Sequence, residues 1–273
     1  MALWPLQDAS LQIVAGQITS TSLWTTVTSS ATANAAGNYV QMYAATPWQV
    51  YEIWLFLAQT GLAASAVNVQ GLIDIGIGPA GSEALLVPNF GAGSVGPFAA
   101  WRFPVTVDEG RRLAVRLRTA TASRSCTMGM ALVGGGSGME AGSSVATYGA
   151  VTASSIGTVL AAPGAANTES AWTAITASTT APIRWLMLGL CAPNTATATA
   201  TEGLLDVGIG ASGSEQAIIT DVPFQVTAAE QINFPCSLTF PADVPVGTRI
   251  AVRYRATSTS TLSSPSVTLT GIG

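Results

Sequence analysis

The sequence predicts an all-β protein of two tandem, jelly-roll-like antiparallel β-sandwich domains that arose by internal duplication. Three observations carry this. One segment recurs almost unchanged halfway along the chain, the clearest strands alternate with a period of two, and no segment sustains the i, i+3, i+4 apolar stripe of a capped helix.

The repeat comes first. Residues 71–83 read GLIDIGIGPAGSE and residues 203–215 read GLLDVGIGASGSE, identical at nine of thirteen positions with an offset of 132. Upstream, ITSTSL from Ile18 parallels VTASSI from Val151, Asn34 parallels Asn167, and Tyr39 falls on Trp172. The apolar run IWLFL from Ile53 is aligned with WLMLG from Trp185. Downstream, FPVTVDEGRRLAVRLR from Phe103 falls on FPADVPVGTRIAVRYR from Phe240 at an offset of 137, and residues 130–134 are set against 267–271. The expected organisation is an N-terminal arm (1–15), copy one (16–134), a Gly/Ser-rich linker (135–148) and copy two (149–273). The arm is too apolar for a free tail, with Trp4, Leu6, Leu11, Ile13 and Val14, and reads as an added strand or a docking arm.

The strands follow from alternation. In 112–118 Leu113, Val115 and Leu117 share one face and Arg112, Ala114, Arg116 and Arg118 the other. In 249–255 the faces are Ile250, Val252 and Tyr254 against Arg249, Ala251, Arg253 and Arg255. The aliphatic faces belong in a core and the arginines on an outer sheet face. Each Arg strand follows a turn, at 107–110 and 244–247, where Gly or Pro sets the geometry. Short strands with frequent turn residues, in copies of about 120 residues, suit one sandwich each.

Composition narrows the chemistry. Charged residues are 9% of the chain, the net charge is −4, and His and Lys are absent, so all ten basic residues are Arg. That removes the commonest general base, the commonest neutral-pH metal ligand and the Schiff-base amine. The many serines therefore have no His or Lys to build a triad or dyad with. No basic cluster interleaved with aromatics points to nucleic acid. Cys126, Cys191 and Cys236 have no CxxC spacing and read as buried thiols, not as a disulfide framework or zinc site. The start MALWPLQDAS has neither the charged nor the apolar region of a secretory signal, so none is expected. The most apolar stretch, Ile53 to Val69, is interrupted by Gln59, Thr60 and Asn68 and falls short of a membrane span.

Three constellations bear on chemistry. Gly76, Gly78 and Gly81, repeated as Gly208, Gly210 and Gly213, match a dinucleotide fingerprint. The segment after them carries Pro88 and no helical period, so the glycines read as a tight turn or bulge. Asp74 with Glu83, and Asp206 with Glu215, form carboxylate pairs of the kind glycoside hydrolysis uses, yet read more simply as ion pairs or turn caps. No loop supplies the six to eight oxygens calcium wants. The three arginines in each row repel one another and require carboxylates on a neighbouring strand or subunit. Binding of acidic sugars is their functional alternative, and Trp48 and Trp101 are candidate sugar-stacking platforms.

The segments DIGIGPAGSEALLVPNF and DVGIGASGSEQAIITDV, each followed by the FP…R-[IL]-A-V-R stretch, resemble β-sandwich modules in virion proteins of tailed bacteriophages and gene-transfer particles. The resemblance spans most of both copies. It implies a non-enzymatic virion structural protein, such as a capsid decoration, a head spike or fibre base, or a tail-tip component. It implies assembly in the host cytoplasm, other virion proteins as partners, a homo-oligomer (a trimer by family analogy) and no cofactor. The alternative is a carbohydrate-binding module for host-surface glycans, and a carboxylate-based glycan hydrolase is a third reading. Copy one departs from the pattern at Asp108-Glu109, where copy two has Val244-Pro245-Val246, so the two turns are expected to meet different partners.

Overall fold

A computed structural model describes residues 10–14, 24–58, 70–93, 98–134, 141–153, 156–191, 200–226, 232–233, 238–261 and 264–273. Cys236, Trp4, most of the N-terminal arm, residues 135–140 of the linker and residues 59–69 of the apolar stretch lie outside them.

The protein is all-β, with no α-helix among the described residues. The first half contains β1 (Ser10–Val14), β2 (Thr25–Thr28), β3 (Val40–Tyr43), β4 (Val50–Ala58), β5 (Gln70–Ile77), β6 (Ala84–Gly93), β7 (Phe98–Phe103), β8 (Leu113–Thr119) and β9 (Ser125–Gly134). The second contains β10 (Val145–Tyr148), β11 (Thr158–Val159), β12 (Thr173–Thr176), β13 (Ile183–Cys191), β14 (Thr201–Ile209), β15 (Gln216–Val226), β16 (Ile232–Asn233), β17 (Thr239–Val244), β18 (Ile250–Ala256) and β19 (Ser266–Ile272).

These strands form four antiparallel sheets. The first half has the order β1-β9-β4-β7, with β2 also on β9, and the order β3-β8-β5-β6. The second has β10-β19-β13-β17, with β11 also on β19, and β12-β18-β14-β15-β16. Apart from the short β16, the two halves match strand for strand. Strand β1 lies in the part of the N-terminal arm that is described and is an added strand on β9. Its counterpart β10 occupies residues expected in the linker, and pairs with β19.

Pairing corrects two of the sequence alignments. Ile53 faces Phe103 and Leu186 faces Phe240, so the run from Ile53 matches Leu186, one residue beyond Trp185. A one-residue slip in a strand exchanges its faces. Accordingly Ile53 and Leu186 are both fully buried, while Trp185 points the other way. Leu55 pairs with Met130 and Leu188 with Leu269, so the closing strand is shifted by two positions and keeps its faces.

Each half has its own core between its two sheets. In the first, Leu113, Val115 and Leu117 of β8 meet Ile53 and Leu55 of β4 and Phe103 of β7. In the second, Ile250, Val252 and Tyr254 of β18 meet Leu186, Leu188 and Leu190 of β13. Full burial of an aliphatic side chain of this size is worth about 1.5–3 kcal/mol. Phe90 stands edge-on to Phe103 and Trp101, as Phe224 does to Tyr254, the geometry favoured by ring quadrupoles.

The halves meet along a close seam. The outer face of β13 and β19 packs on β6, and the Gly91 N–H donates to Thr268 Oγ1 at 2.9 Å. Ser266, Thr268 and Thr270 are buried there. Gly91 and Gly189 let the backbones approach: a Cβ on Gly189 would lie 2.5 Å from the Gly91 carbonyl. Beside them Leu72, Ile156 and Cys191 form a small apolar cluster, and Met187 and Ile272 join the core of the first half.

Candidate functional site

The residues singled out in the sequence assemble twice, on the outer faces of β8-β5 and β18-β14. Asp74 opposes Arg116 across the β5–β8 pair, and Asp206 opposes Arg253 across β14–β18. Arg116 Nε donates to Asp74 Oδ2 at 2.6 Å. Arg253 donates from Nε and Nη2 to Asp206 Oδ2 at 3.0 and 2.9 Å. Both aspartates are only 4% exposed.

The other oxygen of each aspartate holds the next strand. Asp74 Oδ1 accepts the Asn89 N–H at 2.6 Å, and Asp206 Oδ1 accepts the Asp221 N–H at 2.9 Å. Asn89 and Asp221 have φ of 49° and 59°, at the point where the register of β6 and β15 shifts. A residue in the left-handed region breaks the ladder there, and the aspartate satisfies the freed donor. These carboxylates cap bulges.

The glycines divide into two roles. Gly78, Gly81, Gly210 and Gly213 have positive φ, between 80° and 116°, and make the hairpin turn. Gly76 and Gly208 instead seat aromatic rings. A Cβ on Gly76 would lie 2.6 Å from the Tyr39 ring, and one on Gly208 2.7 Å from the Trp172 ring. The arginines close over the other side, with Arg116 at 4.6 Å from the Tyr39 centroid and Arg253 at 4.5 Å from that of Trp172.

Glu83 and Glu215 finish the turn. Arg112 Nη1 donates to Glu83 Oε1 at 2.6 Å and Arg249 Nη1 to Glu215 Oε1 at 2.7 Å. Glu215 also accepts the Gly213 N–H at 2.9 Å. Desolvation pushes both carboxyls up. Their own N–H groups, the arginines and the Gly81 or Gly213 N–H outweigh it, and both pKa values are lowered. Burial raises the Tyr39 phenol despite Arg116 beside it.

The last arginine of each row differs. Arg255 Nη2 donates to Asp221 Oδ1 at 2.7 Å, and Glu169 lies 3.9 Å from its Nη1 and 3.4 Å from Arg253 Nε. Arg118 Nη1 donates to the Asn34 carbonyl at 2.6 Å, and its buried Nε–H has no acceptor.

The two tryptophans are placed differently. Trp101 is 5% exposed in the core against Phe90, because β7 turns that side chain inward; no sugar face remains, which corrects its candidacy. Trp48 is half-buried against the backbone of Gly134. Neither joins the arginine clusters.

Sequence reasoning missed Glu169, Asp221 and a second kind of ion pair, in which both nitrogens of an Arg102 fork meet the buried Glu52. That contact raises the Arg102 pKa. The Tyr39 and Trp172 match was visible in the repeat; their glycine seats were not, because strands carry no mark of which ring crosses them. Among the described residues, no group of three or more His, Cys, Asp or Glu is placed to hold a metal ion, and no helix is long and apolar enough to cross a membrane.

The fold defines an all-β protein of paired antiparallel sheets. No family model matches the chain, and no curated protein does. Among solved structures, it is similar to PNGF-II in a C2 crystal form, with a TM-score of 0.36, 7% identity, and coverage of 97% of this chain and 64% of that one. A P21 form of PNGF-II gives 0.33 and 8%, covering 97% and 65%. The VP2 subviral particle of infectious bursal disease virus gives 0.21 and 12%, covering 96% and 70%. The chain thus spans under two thirds of the PNGF-II chains, and scores this low carry nothing about function.

Proposed function

We propose that this chain is a non-enzymatic structural component of a tailed-phage-like virion, a tandem duplication of a jelly-roll module that acts through protein–protein contacts. The observation that carries the reading is how the ionisable groups are used. Asp74, Glu83, Asp206 and Glu215 each cap a bulge or turn and pair with an arginine of the same half. A catalytic carboxylate needs access to substrate and a partner tuned for proton transfer. These four are committed to the backbone instead, and identically in both copies.

Two further points support it. The strand order β1-β9-β4-β7 facing β3-β8-β5-β6, repeated in the second half, suits the double-sheet winding of a jelly roll. The sequence pattern around those strands resembles virion β-sandwich modules.

The test is the number of copies of this chain per purified particle, by quantitative mass spectrometry. Hundreds indicate a capsid decoration. A handful in multiples of three, five or six indicates a spike, fibre base or tail tip. Absence from the particle overturns the reading and leaves a soluble lectin-like protein as the best account.

A further inference from the structure

The two charged faces are built on one plan but end in opposite balance. On copy one, Arg112, Arg116 and Arg118 face two carboxylates, Asp74 and Glu83. On copy two, Arg249, Arg253 and Arg255 face four: Asp206, Glu215, Glu169 and Asp221.

The difference falls at two positions that correspond through the backbone. Asn34 N–H bonds the Thr119 carbonyl and Asn167 N–H the Ala256 carbonyl, so Ala36 stands where Glu169 stands. Asn89 and Asp221 hold the same bulge, so Asn89 stands where Asp221 does. Arg118 has therefore lost both acids that serve Arg255. It keeps one carbonyl, on Nη1, and its side chain is half-buried, so the guanidinium edge that carries acids in copy two has none here. Conversely, the Asp221 side chain is 54% exposed and that of Glu169 31% exposed, on a face with one carboxylate more than arginines.

We propose that Arg118 is a docking point for a carboxylate from a second copy of this chain, supplied by the Glu169 and Asp221 face of copy two. Copy two shows in cis what the position takes: the carboxylates of an Asp and a Glu. The surplus cation and the surplus anion lie on different faces of one chain, so the contact is head-to-tail, and such contacts close into rings or run on as filaments. The inference deepens the reading of the chain as an assembly component and rests on it.

The test installs the missing acids. In A36E/N89D, Arg118 is satisfied within its own chain and is no longer open to a partner. Sedimentation velocity of the purified full chain, at low and high salt, compares wild type, R118Q and A36E/N89D. The expected result is salt-sensitive self-association in wild type, weakened about tenfold or more in both variants. A36E/N89D should also melt no lower than wild type, which separates a lost contact from a lost fold.

A wild type that stays monomeric, or an A36E/N89D that associates like wild type, overturns the proposal. Calorimetric titration with glucuronate, against glucose, is the second arm. If a monomeric wild type binds glucuronate and A36E/N89D does not, the carboxylate belongs to an acidic sugar and the second-copy contact is wrong. Because copy number is counted on particles and association on the purified chain, failure of this contact leaves the virion reading standing.

Discussion

Replacing Asp74 by Ala should cost about 3 kcal/mol, and the structure says how that divides. Asp74 is buried, with one oxygen on the Asn89 N–H and the other on Arg116. An orphaned buried N–H costs about 1–3 kcal/mol. Breaking a buried ion pair costs about 3–5 kcal/mol. However, the Arg116 side chain is 27% exposed and keeps its stack on Tyr39, so its share falls to about 1 kcal/mol. Asp206→Ala should cost less, about 2 kcal/mol, since Arg253 retains Glu169 at 3.4 Å. Asp74→Asn keeps an oxygen for the Asn89 N–H and should cost about 1 kcal/mol. Urea unfolding followed by far-ultraviolet circular dichroism measures all three. For a chain of this size, about 3 kcal/mol also lowers the melting temperature by roughly 6 °C. If Asp74→Asn is as damaging as Asp74→Ala, the bulge cap contributes nothing to stability. If Asp206→Ala exceeds Asp74→Ala, the second carboxylate on Arg253 has no energetic role.

Two further predictions concern acid and the seam. Glu83 and Glu215 have lowered folded-state pKa values, so their stabilisation is fully present above the ordinary glutamate value of about 4.3 and is lost as pH falls through the folded value. Melting temperatures taken downward from pH 7 should show an acid limb that flattens in E83Q/E215Q; an unchanged limb would assign it to other carboxylates. Burial pushes the Cys126 and Cys191 thiols up to about 12, so in a Cys236→Ser background neither should react with a thiol reagent at neutral pH. Gly189→Ala drives a methyl against Thr268 and the Gly91 carbonyl, an overpacking of about 1–3 kcal/mol, and should expose Cys191 to the reagent while Cys126 stays protected. Equal exposure of both would mean that the seam does not open separately from the core.

The all-β class and the pairing of arginine with carboxylate were legible because both rest on local rules. Alternation fixed which side of β8 and β18 carries arginine, and the repeat set Asp74 and Asp206 at matching positions. What was not legible depends on which strand lies beside which. The slip between Trp185 and Leu186 is one example. The true offset of 133 held from Ile18 to Tyr39, but the apolar run looks equally good one residue away, and only pairing with Phe240 settles the face. Glu169 and Asp221 are another: each is remote from Arg255 in sequence and reaches it only across β12–β18 and β14–β15. Trp101 looked like a ligand platform because composition cannot tell an inward from an outward tryptophan in a short strand.

The seam between the halves shows how two halves of matching strand order differ at the surfaces where they meet. Three small contacts let β6 approach the second half: Gly91, Gly189 and Thr268. Strand pairing identifies their counterparts in the opposite copies. Gly91 pairs with Leu72 as Pro223 pairs with Leu204, so Pro223 replaces Gly91. The alignment of Ile53 with Leu186 puts Phe56 in place of Gly189, and Gly129 replaces Thr268. Pro223 has no N–H to donate, and Phe56 fills the space that backbone approach requires. Trp24 lies over Gly129, with its ring 3.4 Å from where a Cβ would stand. A second chain therefore cannot use these surfaces to copy the internal contact. The consequence is visible at the open end: Leu72 is 1% exposed, while its counterpart Leu204 is only half-buried and Pro223 is exposed. The close glycine contact is thus confined to the seam inside one chain, and the two halves differ there as they do on their charged faces.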